Sequence, residues 1–214
     1  DIDTSFKPSS LSTAQADTLD FLARLSEPDM RQRYNDAQRA TLLAEYKELR
    51  SKDRLVTPEE LSRPGLQEFY LYHKGTETNH DGLIFPPTWF DLLKLPPEQR
   101  RYRTTWALYM MGVLADWVDR EVESAELFRQ VRVAALQGFH DRQGLAHASY
   151  RTECRYHRYS MNYAPKWAWV MKSLGDQEGY REVVFGMRLV IDRMKLTPAT
   201  IREIYAEPVA REVL

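Results

Sequence analysis

Three side chains able to ligate a metal, His147, Cys154 and His157, stand at spacings of seven and three, so on one helix they could share a face. With His140 just before them they are the nearest thing to a metal constellation in the chain, and imidazole with thiolate suits zinc or copper. The competing reading makes Cys154 a small buried core residue and satisfies the histidines with ordinary hydrogen bonds. On that reading, the one adopted, no metal and no other cofactor is expected. A second group, His73, His80 and Asp81 beside Glu68 and Glu77, has the residue types for ligation or acid–base work, and equally the composition of a solvated connection. No glycine-rich phosphate loop, HExxH, GxSxG or CxxC motif occurs. The sequence assigns no catalytic residue and favours a non-catalytic protein.

The elements that must position these residues are helices. Aromatic residues are abundant (12 Tyr, 8 Phe, 5 Trp), glycine is scarce at 9, and alternating β-branched runs are nearly absent, which reads as all-α. Two amphipathic patterns, about 104–118 and 122–138, meet at Asp119-Arg120-Glu121, and a short polar elbow between such helices makes an αα-hairpin. Acids at that elbow, Asp119, Glu121 and Glu123, complement a helix dipole. Upstream, helices are expected over about 12–25 and 30–52, separated by a break at Ser26-Glu27-Pro28-Asp29. Thr57-Pro58-Glu59-Glu60 has the residues of a capped helix start. A helix over 66–75 is expected to stop at Gly75 before a polar loop over 76–83, and a short one follows Pro86-Pro87. Downstream, helices are expected over 145–161, 164–174, 177–195 and from Thr197-Pro198 to about 205.

Charge and length narrow the classes. Lys plus Arg number 30 against 31 acids, and a net charge of −1 gives no general attraction to nucleic acid or an anionic membrane. The longest uncharged stretch, Thr104–Ala115, is too short to span a bilayer. The single cysteine excludes an internal disulfide framework. The chain starts at Asp1 without methionine, which is expected if a signal peptide, or a segment left out by choice of boundaries, precedes it. It stops at Leu214 inside a helix-like pattern, so the natural protein is expected to continue.

The hairpin resembles a tetratricopeptide repeat, a unit of about 34 residues. With Thr105 as first position, Leu108, Gly112, Ser124 and Phe128 fall where that pattern has an apolar residue, a glycine, a small residue and an aromatic. Gly112 would let the second helix approach, Ser124 would sit at the crossing, and Phe128 would fill the gap beside them. An ordinary hairpin in an irregular all-α domain is the alternative. A weaker second register starts at His147, with Tyr150 at the large-aromatic position, Cys154 where Gly112 stood and Lys166 at the small crossing position. Such units line their concave face with the first helix of each pair. The resemblance therefore implies a groove lined by Trp106, Tyr109, Val113, Asp116 and Trp117, and by the basic stripe Arg151, Arg155 and Arg158 with Tyr159 beside it. A solvated face, or arginines paired with Glu153 or Asp141, is the alternative. The runs EFYLYHKG, WFDLLKLPPEQRRYRTTWALYMMG and ELFRQVRVAALQGFHDRQGLAHAS resemble a group of long bacterial envelope proteins of unknown function with tetratricopeptide-like repeats. That resemblance covers roughly 65–214; it implies export and a continuing solenoid, and supplies no reaction.

The expectation is an all-α chain of hairpins stacked as a tetratricopeptide-like right-handed α-solenoid. An irregular N-terminal helical section over 1–64 precedes repeats over 65–214, or the two form one continuous domain. Its expected function is that of a non-catalytic scaffold or adaptor, periplasmic or exported with the cytoplasm left open, holding a peptide or protein segment in the groove. Arg151, Arg155 and Arg158 would bind acidic groups of that partner, and Trp106, Tyr109 and Trp117 would supply apolar area. Neither nucleic acid nor membrane insertion is expected. The alternative is a metal- or small-ligand-binding helical protein, or a hydrolase, using the His/Cys clusters.

Overall fold

The computed structural model describes residues 5–51, 54–78, 85–118, 120–157 and 164–194, and every regular element among them is helical. In order these are α1 (Thr13–Leu25), α2 (Pro28–Arg33), α3 (Asp36–Ser51), α4 (Pro58–Leu61), α5 (Gln67–Thr78), α6 (Pro87–Lys94), α7 (Thr104–Trp117), α8 (Glu121–Leu136), α9 (Leu145–His157), α10 (Ala164–Leu174) and α11 (Gln177–Met194). A 3-10 turn at Pro97–Gln99 links α6 to α7. They form two compact units, one from Pro8 to Ala146, the other from His147 onward together with the described residues up to Lys7. The expected helix after Thr197 lies outside the described residues, as does the part of the 145–161 helix beyond His157.

The helix starts follow their caps. Ser12 and Gln15 cap α1 reciprocally, as Thr57 and Glu60 do for α4. The single helix expected over 30–52 is two. Pro28 opens α2 rather than breaking the chain. Asn35 then caps α3, its Oδ1 accepting the Gln38 N–H at 2.9 Å while Gln38 Oε1 accepts the Asn35 N–H at 2.9 Å. Gly75 does not end α5, which runs on to Thr78. A Cβ there would lie 2.1 Å from Trp89 Nε1, and the indole donates to the Tyr72 carbonyl at 2.9 Å. The glycine serves the close approach of α6, not a turn.

One core joins the N-terminal helices to α5 and to the start of α7, with Phe21, Leu25, Met30, Tyr46, Leu49, Leu66, Phe69, Tyr70 and Tyr102 all buried in it. Packing therefore runs without a break across residue 64. Phe21 and Tyr46 stack at 3.9 Å, and Phe69 meets Phe21 edge-on at 5.0 Å. The α7–α8 hairpin is built as its residues suggest. Ser124 Oγ donates to the Gly112 carbonyl at 2.9 Å, and a Cβ on Gly112 would meet Phe128 at 2.8 Å.

In the other unit, Tyr150 and Cys154 of α9 pack with Trp167, Ala168, Val170 and Met171 of α10 and Val183 of α11. Trp167 is buried and Trp169 half-exposed.

Candidate functional site

The residues expected to line a groove have different fates on α7. Trp106 is buried, 3% exposed, with the Arg103 guanidinium 4.7 Å over its ring. Tyr109 is half-buried against Phe128, with ring centroids 5.6 Å apart, and Val113 and Asp116 are also half-buried. Trp117 is 67% exposed at the helix end, and Val122, just across the elbow, is 87% exposed. In the other unit Arg151 is engaged by acids of α11 and its cap. Its Nη2 lies 2.9 Å from Glu178 and 3.7 Å from Glu182, and its Nε 3.9 Å from Asp176. The side chain of Arg155, and Arg158 and Tyr159 altogether, lie outside the described residues.

The histidine and cysteine groups are placed as follows. Cys154 is buried in the α9–α11 core. His147 is buried too, and that burial lowers its pKa. His140 stacks on Tyr102 at 4.1 Å. The side chain of His157, and His80 and Asp81, lie outside the described residues. Among the described residues no three His, Cys, Asp or Glu side chains group to hold a metal.

What the interior of the Pro8–Ala146 unit does assemble is a charged network around Arg103, which is fully buried. Arg103 pairs with Asp17 through Nη2 and with Asp20 through Nη1, the latter at 3.1 Å. Its guanidinium also lies 4.5 Å over the Phe69 ring. Asp17 and Asp20, three apart on α1, are themselves fully buried. Arg142 reaches Asp20 at 2.9 Å, and Arg50 Nε lies 2.6 Å from Asp17 Oδ2 without the alignment of a hydrogen bond. Burial alone would raise the Asp17 pKa, but Arg103, His73 and Arg50 outweigh it and hold this carboxyl well below the usual range. Glu68 of α5 differs. One of its oxygens, Oε2, accepts the backbone N–H groups of Tyr102 and Arg103 at 2.8 and 2.9 Å. Complete burial prevails over those bonds and over Arg103, pushing Glu68 up to about 8.

His73 completes the network and opens it to the outside. Tyr46 O–H lies 2.5 Å from Asp17 Oδ1 and 2.8 Å from His73 Nε2. The single phenol proton goes to the carboxylate, so His73 Nε2–H donates to the phenol oxygen and Nδ1 carries the lone pair. Burial lowers the His73 pKa despite Asp17 nearby, which keeps the ring neutral at pH 7. The ring forms part of the wall of a cavity of about 320 Å³ shared with Leu49, Arg50, Arg54, Leu55, Thr76 and Glu77. Arg54 is forked onto Glu60 at 2.6 and 3.0 Å, and Glu77 is held by Lys74 at 2.7 Å and by the Val56 N–H.

Sequence reasoning named His73, Glu68 and Glu77 but grouped them with His80 and Asp81, and it missed Asp17, Tyr46, Arg50 and Arg103. The one available signal was Asp17 and Asp20 standing on a helix among leucines. Comparisons with protein-family models, curated proteins and solved structures return no match for this chain. No described helix is long and apolar enough to cross a membrane.

Proposed function

We propose that this chain is a protein-interaction module that seats an apolar protein segment on the elbow end of the α7–α8 hairpin. The observation that carries the reading is Trp117, a tryptophan left 67% exposed in a unit that buries Trp89 and Trp106. Beside it in sequence stands Val122, also exposed, while the rest of the hairpin is locked by Gly112, Ser124 and Phe128. An indole exposed at the surface is a common anchor of an interface, because a partner covering it gains a large area for only two side-chain torsions. The same hairpin details support the finer architecture within this proposal, a tetratricopeptide-like right-handed solenoid, and export to the periplasm belongs to it as an expectation. Arg151 is already taken up by Glu178 and Glu182, so recognition in this reading is apolar and centred on α7 rather than on the basic stripe.

The test is selection of peptides on the wild-type chain, followed by titration of the same peptides against Trp117→Ala. Losing an anchor of this kind costs at least about 2 kcal/mol, a factor of about 30 in Kd. The melting temperature should not move, since the side chain supports little of the fold. Selected peptides that bind Trp117→Ala as tightly as wild type would place the interaction elsewhere and remove the basis of the proposal.

A further inference from the structure

The cavity beside His73 joins features that point to a ligand. Its histidine is 6% exposed, with Nε2 committed to Tyr46 and Nδ1 left as an acceptor that has no partner among the described residues. Its Arg50 turns Nε inward to Asp17, which leaves the two Nη nitrogens, also without a partner among the described residues, for the cavity side. The remaining charges of the wall are answered internally, Arg54 by Glu60 and Glu77 by Lys74. Behind the wall three guanidiniums, of Arg103, Arg50 and Arg142, face two carboxylates, of Asp17 and Asp20. Glu68, whose carboxyl is pushed up to about 8, adds little negative charge at pH 7. Among these buried groups the guanidiniums outnumber the carboxylates by one, and Arg50 is the guanidinium that reaches the cavity. Leu49 and Leu55 supply an apolar patch on the same wall. About 320 Å³ is at the small end of ligand sites.

We propose that this cavity binds a small organic carboxylate bearing a hydrogen-bond donor, of the 2-hydroxy-acid type. Its carboxylate lies on the Nη edge of Arg50, its hydroxyl donates to His73 Nδ1, and its apolar remainder rests on Leu49 and Leu55. Arginine forks match carboxylates in plane and spacing. A neutral imidazole with its proton fixed on Nε2 accepts a hydroxyl hydrogen but cannot donate to a bare anion, so the histidine selects for the donor group. The site lies on α3 and α5, far in sequence from the Trp117 surface, and does not depend on it.

The experiment is a titration of the full chain, labelled with 15N-histidine, using lactate, propionate and inorganic phosphate as probes. The His73 signals are identified by elimination with His→Gln variants of His80, His140, His147 and His157. Lactate at millimolar concentration should shift the His73 Nδ1 resonance saturably. Propionate, which lacks the hydroxyl, should bind about tenfold or more weakly, and so should lactate to Arg50→Gln. Absence of a saturable shift with lactate overturns the proposal. Equal affinity for propionate overturns the role of His73, and preference for phosphate overturns the carboxylate assignment. Should Arg50→Gln fail to fold, the wild-type titrations still decide, because the signal belongs to a residue of the wall itself.

Discussion

Replacing Glu68 by glutamine should make the protein more stable than wild type at alkaline pH and leave it nearly unchanged in mild acid. Both backbone N–H groups that meet this side chain, those of Tyr102 and Arg103, bond to the same oxygen, Oε2. A glutamine can offer its carbonyl oxygen there and place its amide nitrogen where the protonated acid has its other oxygen. The variant therefore imitates the neutral acid and cannot ionise. In the folded wild type the carboxyl titrates at about 8, raised by burial above its ordinary value of 4.5. Between those two pH values the folded state holds a proton that the unfolded state has released, so wild-type stability falls as pH rises. The loss is absent below the lower value and complete above the upper one. At about 1.4 kcal/mol per pH unit the gap between variant and wild type should be near zero at about pH 4, about 3 kcal/mol at pH 7 and about 5 kcal/mol at pH 9. Taking the difference between the two proteins cancels every other titrating group.

The assay is urea unfolding of both proteins across that range, with the midpoint compared at constant m-value. A gap that stays constant with pH would show that Glu68 is not held neutral in the folded protein. A gap of opposite sign, with the variant the less stable protein at neutral and alkaline pH and the two alike in acid, would show a carboxylate stabilised in its charged form, and would refute the claim that burial prevails over Arg103 and the two N–H donors.

Three further outcomes are expected. Arg103→Met should destabilise the fold by about 3–5 kcal/mol in denaturant unfolding, because Asp17 and Asp20 would stay buried with their central partner gone. Gly75→Ala puts a methyl 2.1 Å from the Trp89 indole; it should cost about 3 kcal/mol or more, outweighing the roughly 1 kcal/mol gain in helix propensity, and should shift the tryptophan fluorescence. Asn35→Ala removes the cap that separates α2 from α3 and should cost about 1 kcal/mol by thermal unfolding, with no effect on the distant α7–α8 hairpin.

The helical class was legible because periodicity and caps are local. The α7–α8 hairpin lies within two residues of its expected bounds at either end, and its Gly112–Ser124–Phe128 contact agrees with the repeat register and with the sizes of the three residues. Where local signals compete, the sequence alone misleads. Pro28 carries the same residue type whether it ends one helix or opens the next, and only the reciprocal Asn35–Gln38 pair shows that α3 starts afresh. Gly75 looks like a stop because a glycine near a helix end usually is one. That it admits Trp89 instead depends on a helix that begins 12 residues later. The repeat register puts Trp106 and Trp117 alike on an open face, and the structure separates them: Arg103 and Tyr72 cover the first, while the second is exposed at the helix end. The network around His73 was illegible for the same reason, since Asp17, Tyr46, His73 and Arg103 come from four helices or their caps and share no spacing.

Helix α1 shows how far such a network can overrule a pattern. Its leucines suggest the buried face, yet Leu19 and Leu22 are 38% and 43% exposed while Asp17 and Asp20 are fully buried. Phe21 and Leu25 are buried on the same side as the two aspartates, so apolar residues stand on both sides of the helix and apolar burial alone fixes its rotation only weakly. A rotation that buried Leu19 and Leu22 instead would expose Phe21 and strand Arg103 in the interior, a loss larger than the gain from two partly covered leucines. Asp17 and Asp20 stand three apart, so only one rotation and one register along α1 bring both carboxylates to the two Nη nitrogens of Arg103. Apolar side chains of similar size can slide past one another at small cost, whereas a buried guanidinium tolerates no such shift. The N-terminal helices are thereby fixed against α5 and the start of α7 by charge as much as by the Phe21–Tyr46–Phe69 core. The same constraint holds Tyr46 and His73 in the one arrangement that leaves Nδ1 toward the cavity.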